Sequence, residues 1–204
     1  YNPNIDKLKN KVAIVTGGDS GIGRAVSISL AKNGCDVCTV YLNEDEDANL
    51  TKQKIESLNR KCLLIKGDIS SSKFCDDVVK KTLDEFGKIN ILINNSAVQY
   101  ENKNITDIDD EIFDKTFKTN VYGAFYLTKR VVPHLKKGDS IINTTSVVSY
   151  NGHETLLDYS MTKGALTTFT RSLALQLSPK GIRVNAVAPG PIWTPLIVSS
   201  FDEN

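Results

Sequence analysis

The chain has 204 residues, which is enough for one domain with a sizeable core and too few for two ordinary domains. Lysine and arginine number 25 against 24 aspartate and glutamate, and this balance excludes the basic surface typical of nucleic-acid or anionic-membrane binding. We find no secretory signal and no apolar run of roughly 18 residues, so we expect no spanning helix and a cytoplasmic location.

Short apolar runs alternate with longer amphipathic stretches along the chain. This alternation predicts strands and helices in turn, and hence an α/β fold in which a parallel sheet is covered on both faces. We expect a single domain over residues 1–204, with ten loose polar residues at its start. Strands are predicted at 12–15, 36–42, 62–66, 89–93, 140–143 and 182–187. The first predicted helix follows a glycine-rich turn and ends at about residue 32, and further helices are predicted at 48–58, 74–86, 113–130 and 159–177.

Cys35 and Cys38 have the C-x-x-C spacing that can indicate metal binding or redox chemistry. Both fall at a predicted buried strand, Cys35 directly before it and Cys38 within it, and side chains three positions apart in a strand face opposite sides of the sheet. No histidine follows nearby. We therefore interpret these thiols as small apolar core residues of a reducing compartment, and we expect no metal site.

A glycine-rich turn, Thr-Gly-Gly-Asp-Ser-Gly-Ile-Gly, follows the first predicted strand and opens the first helix. Gly17, Gly21 and Gly23 let the backbone approach a ligand and tolerate positive φ. The helix N-terminus behind them supplies free N–H groups and a partial positive charge. The turn therefore predicts a binding site for a dinucleotide pyrophosphate, although an ordinary tight turn between a strand and a helix has similar spacing.

Tyr159 and Lys163 are four residues apart on a predicted helix, so their side chains share one face. A free phenol is a poor base at neutral pH because its pKa is about 10. A neighbouring ammonium group favours the phenolate, so we expect Lys163, together with the positive charge of a bound nicotinamide, to lower the pKa of Tyr159. Tyr159 could then take a proton from an alcohol or give one to a carbonyl, unless the pair is only an exposed surface pair.

These motifs resemble those of the short-chain dehydrogenase/reductase family, in its short branch. The family's T-G-x-x-x-G-[AI]-G motif is matched at 16–23, its N-N-A-G segment imperfectly at 94–97, its Y-x-x-x-K by Tyr159 and Lys163, and its P-G by Pro189 and Gly190. In detail the chain is similar to bacterial stress-associated and glucose-dehydrogenase-like members. The resemblance implies a Rossmann-type, three-layer doubly wound fold and an NAD(P)-dependent alcohol or carbonyl oxidoreductase.

Two departures from the family pattern stand out. Ser96 and Ala97 replace the family's Ala-Gly, which adds a hydroxyl and a methyl group beside the expected cofactor. The resemblance also implies a further helix and a seventh strand after Asn204, so we expect the family's C-terminal part to be missing from this sequence.

The resemblance also implies roles for further residues. Ser146, thirteen positions before Tyr159, would hydrogen-bond the substrate oxygen, with Ser140 and Ser149 as rivals by composition. Asn120 would link Lys163 to solvent as part of a proton relay, unless it is simply a satisfied helix residue. Lys163 would also bind the nicotinamide ribose. The implied cofactor contacts are Gly17, Asp19, Ser20, Gly21, Ile22, Gly23, Tyr41, Leu42, Asp68, Ile69, Asn95, Ser96, Ala97, Tyr159, Lys163, Pro189, Gly190, Ile192 and Thr194.

The charges near the expected adenosine favour NAD over NADP. The glycine turn carries Asp19, and acidic residues at 44–47 follow the second strand, so a 2′-phosphate would meet carboxylates. Arg24 is the nearest cation, and the usual NAD-selecting aspartate aligns with Tyr41, which is not acidic. Asp68 is expected to contact the adenine, with a helix N-cap as the alternative.

The sequence does not choose the substrate among sugars, polyols, steroids and small aldehydes. One alternative function is a non-catalytic dinucleotide-binding sensor or scaffold, and another is an epimerase or dehydratase of the family's extended branch. Similar proteins are dimers or tetramers, so the resemblance implies a homo-oligomer. Its contact surface would include Val121, Phe125, Leu166 and Phe169, unless these four residues pack in the core. The predicted pocket wall comprises Gln99, Val147, Val148, Tyr150, His153, Leu156 and Trp193.

Overall fold

In a computed structural model, which describes residues 6–198, six strands form one parallel sheet in the order β3-β2-β1-β4-β5-β6. The chain runs outward from β1 through β2 and β3, then returns to β4 on the other side of β1. This reversal opens a crevice beyond the carboxyl ends of β1 and β4, where such sheets bind ligands. The strands are β1 Val12–Thr16, β2 Asp36–Tyr41, β3 Cys62–Lys66, β4 Ile91–Asn94, β5 Ser140–Thr144 and β6 Arg183–Val187.

Helices cover both faces of the sheet, which confirms the predicted doubly wound α/β fold. Within residues 6–198 no helix is long and apolar enough to cross a bilayer. The helices are α1 Gly21–Lys32, α2 Asp45–Glu56, α3 Ser72–Phe86, α4 Asp110–Phe117, α5 Gly123–Val131, α6 Val148–Asn151, α7 Leu157–Leu177 and α8 Pro195–Val198.

Two apolar clusters fill the space between the sheet and its helices. Side chains of α3, α5 and α7 pack on one face, and those of α1 and α2 pack on the other. Cys38 belongs to the first cluster and Cys35 to the second, so the two thiols face opposite sides of the sheet. Burial raises the pKa of each thiol to about 12, which keeps it protonated and unreactive.

The structure differs from two of the sequence predictions. The helix predicted at 113–130 begins at Asp110 and is interrupted by a π-helical segment, Lys118–Tyr122, before α5 continues it. Residues 6–10 of the predicted loose start form a turn, because the Leu8 N–H donates to the Asn33 carbonyl at 2.8 Å and its side chain packs on the second cluster. Residues 1–5 lie outside the described part of the chain.

The glycine turn is shaped by a close approach of two backbone segments. Gly17 and Gly21 have φ values of +61° and +49°, in the left-handed region that favours glycine. At Gly23, an added Cβ would lie 1.8 Å from the carbonyl oxygen of Gly17. The first turn of α1 therefore packs directly against the end of β1, and only a residue without a side chain fits there.

Replacing Gly23 with alanine is expected to lower the free energy of unfolding by about 3 kcal/mol or more, because the clash is with backbone that cannot rotate away. Urea denaturation measures this loss. Gly164→Ala in α7 is the matched control, since an added Cβ there meets nothing within 4 Å. That control should be neutral or gain up to about 1 kcal/mol from helix propensity. Equal stabilities of the two variants would contradict the close-packing argument.

Candidate active site

A cleft of about 1180 Å³ opens at the carboxyl edge of the sheet. Its walls come from the glycine turn, the ends of β2 to β5, the N-terminal part of α7 and the segment after β6. Of the expected cofactor residues only Gly23 is not in the wall, because it packs behind the turn. The cleft brings together Gly17, Asp19, Ser20, Gly21, Ile22, Tyr41, Leu42, Asp68, Ile69, Asn95, Ser96, Ala97, Tyr159, Lys163, Pro189, Gly190, Ile192 and Thr194.

The features of this cleft fit a dinucleotide. Ser20, the N-cap of α1, makes no side-chain capping hydrogen bond, and the first turn of α1 contains no acidic residue. Its N–H groups therefore stay available to an anion such as a pyrophosphate. An added Cβ at Gly21 would lie 3.2 Å from the Thr194 Cβ, so the turn already packs against the segment after β6.

Asn95 ties the glycine turn to the ends of β4 and β5. Its side-chain amide donates to the carbonyl oxygens of Thr16 and Gly17 at 3.2 and 3.3 Å, and its Oδ1 accepts from the Thr144 hydroxyl at 3.1 Å. The Thr16 hydroxyl in turn accepts from the backbone N–H groups of Asn95 and Ser96. This network holds three neighbouring strand ends at fixed spacing around the cleft.

Tyr159 and Lys163 lie one helical turn apart in α7, and both are buried. The Lys163 Nζ is 5.3 Å from the centroid of the Tyr159 ring and donates to the Thr144 carbonyl oxygen at 2.7 Å. Ser146, which follows β5, lies near the Tyr159 phenol, and its side chain acts to lower the pKa of that phenol. The fold thus brings the expected serine, tyrosine and lysine together at one end of the cleft.

The pKa of Tyr159 moves opposite to the sequence expectation. Burial raises the pKa of Tyr159 to about 12, and the nearby Ser146 side chain opposes this only in part. Burial also lowers the pKa of Lys163 to about 8. The chain's own groups therefore do not lower the pKa of Tyr159, contrary to the expectation for Lys163, because desolvation of the phenol is the largest effect on it. At neutral pH Tyr159 holds its proton and is poised as a donor.

Asn120 is buried within the π-helical segment and uses its amide as a substitute for backbone. Its Oδ1 accepts from the Val98 N–H and its Nδ2 donates to the Val98 carbonyl, both at 2.8 Å. The Nδ2 also donates to the Thr162 hydroxyl at 3.1 Å, beside Lys163 in sequence. Asn120 therefore fixes the segment after β4 against α7, and it lies behind the cleft wall. Single π-helical turns of this kind are frequent at functional sites.

The structure bears on two choices that the sequence left open: which serine faces the substrate oxygen, and whether Asp68 is a helix N-cap. The Ser149 hydroxyl donates to the Ser146 carbonyl oxygen, and Ser140 lies at the opposite end of β5, so the geometry favours Ser146. The N-cap of α3 is Ser71, whose hydroxyl accepts from the Phe74 N–H. Asp68 is therefore no helix cap and stands exposed in the cleft wall.

The predicted pocket wall is partly wrong. Gln99, Val147, Val148, His153 and Leu156 line the cleft. Tyr150 and Trp193 do not, and they are 64% and 85% exposed, because their side chains point away from the cleft toward solvent. Thr144 was missed by the sequence analysis, although its position at the end of a predicted central strand was a usable signal.

Comparisons with known proteins agree on one family. A sequence profile of the family described as "short chain dehydrogenase" matches residues 11–204. General stress protein 39 of Bacillus subtilis is 55% identical over 198 residues, which cover 97% of this chain and 69% of that protein. This relative confirms the resemblance to stress-associated members.

Two solved structures have the same fold and were determined with nicotinamide coenzymes. A short chain dehydrogenase from Burkholderia cenocepacia in complex with NADP has a TM-score of 0.90 and 31% identity, over 93% of this chain and 78% of that one. A 3-ketoacyl-(acyl-carrier-protein) reductase from Brucella melitensis complexed with NADH has a TM-score of 0.88 and 31% identity, over 95% of this chain and 81% of that one. By profile, sequence and structure, this chain belongs to the short chain dehydrogenase family of oxidoreductases.

Proposed function

We propose that this protein is an NAD(P)-dependent oxidoreductase that transfers a hydride between the nicotinamide and an alcohol or carbonyl substrate. The observation that carries the proposal is the buried Tyr159 phenol, which lies near Ser146 and one helical turn from Lys163. All three side chains line the cleft that also contains the glycine turn. The coenzymes in the two solved relatives support the same assignment.

The chain's own groups supply the proton chemistry of this reaction. A bound nicotinamide supplies or accepts the hydride. Tyr159, protonated at neutral pH, donates its proton to a carbonyl oxygen and takes it back from an alcohol. Ser146 donates a hydrogen bond to the same oxygen and steadies the charge that develops on it. Lys163 binds the nicotinamide ribose, and Asn120 holds the α7 segment that carries Lys163 through Thr162.

A non-catalytic sensor on the same fold is the alternative. A sensor needs the dinucleotide site and has no use for a buried phenol. Burying an ionisable phenol and an amine side by side is costly to stability. Their presence in one cleft therefore supports the enzyme over the sensor.

Replacing Tyr159 with phenylalanine is expected to lower kcat by about 100- to 10,000-fold, because the general acid is lost. The affinity for NADH, measured by its fluorescence, should stay within a few-fold of the wild type. Tyr150→Phe removes the same hydroxyl from a tyrosine that is 64% exposed and outside the cleft, and it should leave kcat unchanged. A panel of alcohols and carbonyls followed by nicotinamide absorbance with both coenzymes provides the activities. Unchanged turnover in Tyr159→Phe would remove this residue from the mechanism.

We also propose that the protein prefers NAD over NADP, because the cations near the expected adenosine are already paired. Arg24 forms an ion pair with Asp47 and donates to the Asp19 carbonyl oxygen at 2.8 Å. Lys66 donates to Asp45 at 2.6 Å. The hydrogen bonds from Lys66 and then Tyr41 lower the pKa of Asp45, which keeps this carboxylate ionised. An incoming 2′-phosphate would therefore meet carboxylates and no free cation among the described residues at this end of the cleft.

The double substitution Asp45→Asn and Asp47→Asn is expected to raise the ratio of kcat/KM for NADP over NAD by about 10- to 100-fold. The reason is that it frees Arg24 and Lys66 to bind a phosphate by charge-assisted hydrogen bonds. Asp76→Asn, which breaks a similar ion pair to Arg130 on α5, is the matched control and should leave the ratio unchanged. A wild-type enzyme that uses NADP as well as NAD would contradict the proposed preference.

Burial of Lys163 lowers the free energy of unfolding by an amount that depends on pH. Its pKa is 10.5 in the unfolded chain and about 8 when folded, so the folded state binds the proton less tightly. Below pH 8 both states hold the proton and the folded state bears the full penalty. Between pH 8 and pH 10.5 only the unfolded state holds it, and stability rises with pH.

The free energy of unfolding of the wild type, relative to Lys163→Met, is therefore expected to rise by about 3 kcal/mol between pH 8 and pH 10.5. Urea denaturation of both proteins at several pH values measures this difference, and the comparison cancels the titration of other groups. Lys129→Met, which replaces an exposed lysine of α5, should show no such change. A difference that is flat across this range would show that the amine is not desolvated.

We further propose that the protein is a homo-oligomer. A groove of about 340 Å³ on α7 and the helix that contains the π-helical segment is lined only by apolar and aromatic side chains. Phe125 and Tyr122 in this groove are 47% and 44% exposed. A second copy that packs on the groove would remove this apolar surface from water. The predicted residues Val121, Phe125, Leu166 and Phe169 all line it.

A further inference from the structure

Gln99 lies on a segment of the cleft wall that is fastened on both sides. The preceding residue, Val98, forms two hydrogen bonds with the Asn120 side chain, each 2.8 Å long. A little further on, the Asn102 N–H donates to the Thr155 carbonyl oxygen at 2.8 Å. The backbone at Gln99 is thus fixed between β4 and the segment before α7, and Gln99 lines the cleft.

The carboxamide of Gln99 has an unmet hydrogen bond. The residue is 6% exposed, and its Nε2 is buried without a hydrogen-bond partner. Such groups are rare in native proteins, because an amide that leaves water without a partner is destabilising. The terminal torsion of glutamine has a broad profile, and no protein hydrogen bond holds the Nε2, so the amide is free to turn toward a ligand.

The cations in the cleft wall are already engaged. Lys115 lies 5.6 Å from the centroid of the Tyr100 ring, and Lys118 forms an ion pair with Asp114. Lys163 donates to a backbone carbonyl oxygen. Among the described wall residues, Gln99 therefore offers a neutral donor, which suits a hydroxyl better than a carboxylate or phosphate.

We propose that Gln99 is a substrate-positioning residue whose Nε2 donates a hydrogen bond to a second, neutral oxygen of the substrate. This makes hydroxylated carbonyl compounds and polyols the preferred substrate class over simple aldehydes and alcohols. The inference rests on the proposed oxidoreductase function and adds the substrate class to it. A site built to hydrogen-bond a hydroxyl discriminates against the analogue that lacks it, because its own polar group is then left unpaired.

The test compares two aldehydes with the same three-carbon chain, glyceraldehyde and propanal. Gln99→Met keeps the length of the side chain and removes the amide. It is expected to lower kcat/KM for glyceraldehyde by about 10- to 100-fold and to leave kcat/KM for propanal within threefold of the wild type. Gln176→Met, at an exposed glutamine near the end of α7, is the matched control and should change neither value.

Thermal unfolding separates this role from a structural one. Because the Nε2 has no partner to lose, Gln99→Met should unfold at the same temperature as the wild type or higher. A lower Tm with equal losses for both aldehydes would identify Gln99 as a packing residue and overturn the proposal. Equal kcat/KM ratios for the two aldehydes in wild type and Gln99→Met would also overturn it.

Binding of a polyol tests the role of Gln99 separately from turnover by the enzyme. If the wild type turns over neither aldehyde with either coenzyme, the oxidoreductase function fails for this substrate pair. Calorimetric titration of ribitol into the wild type and Gln99→Met at saturating NAD then tests the residue alone. Weaker binding of ribitol by Gln99→Met supports the hydrogen bond, and equal or absent binding in both proteins overturns it.

Discussion

The ammonium group of Lys163 sits inside the fold, 2% exposed, with the carbonyl oxygen of Thr144 at 2.7 Å as its hydrogen-bond acceptor. A cation in this position is tolerated only where a strong acceptor replaces some of its lost water. Thr144 is the last residue of β5 and lies one residue beyond the pairing of β5 with β4, and its carbonyl accepts the hydrogen bond from Lys163. The amine is therefore held at the strand end by the packing of α7 on the sheet, and the phenol one turn earlier is held with it.

The same edge of the sheet shows how open strand ends are kept rigid. Where parallel strands stop, their backbone groups need partners that secondary structure no longer provides. Asparagine side chains carry the same donor and acceptor as a peptide group, and here they take that place. Asn95 bonds the end of β1, and Asn120 bonds both polar groups of Val98. Asn94 instead joins the side chains of Thr128 and Asn143. These amides keep the cleft open while its walls remain fixed.

The order of elements and the place of the glycine turn followed from local patterns, because apolar runs and turn residues act over a few positions. The π-helical segment at Asn120 did not, since it depends on a contact with Val98, 22 residues away in sequence. The pKa of Tyr159 was misjudged for the same reason: the pairing with Lys163 is local, whereas desolvation depends on everything that packs around the ring. Trp193 was assigned to the pocket by position alone, and only the fold shows that its side chain faces solvent.

Three groups in this cleft are held in states that are unfavourable for the protein by itself. Tyr159 is desolvated, Lys163 has a lowered pKa, and the Nε2 of Gln99 lacks a partner. A core selected for stability alone would replace them with apolar residues of similar size. In the proposed reaction each of them meets a polar group of the ligand: an oxygen for the phenol, ribose hydroxyls for the amine and a second oxygen for the amide. These groups have already lost their water and are already oriented, so they reorganise less than hydrated groups when a ligand binds. The stability that they cost the free protein therefore favours binding of the ligand.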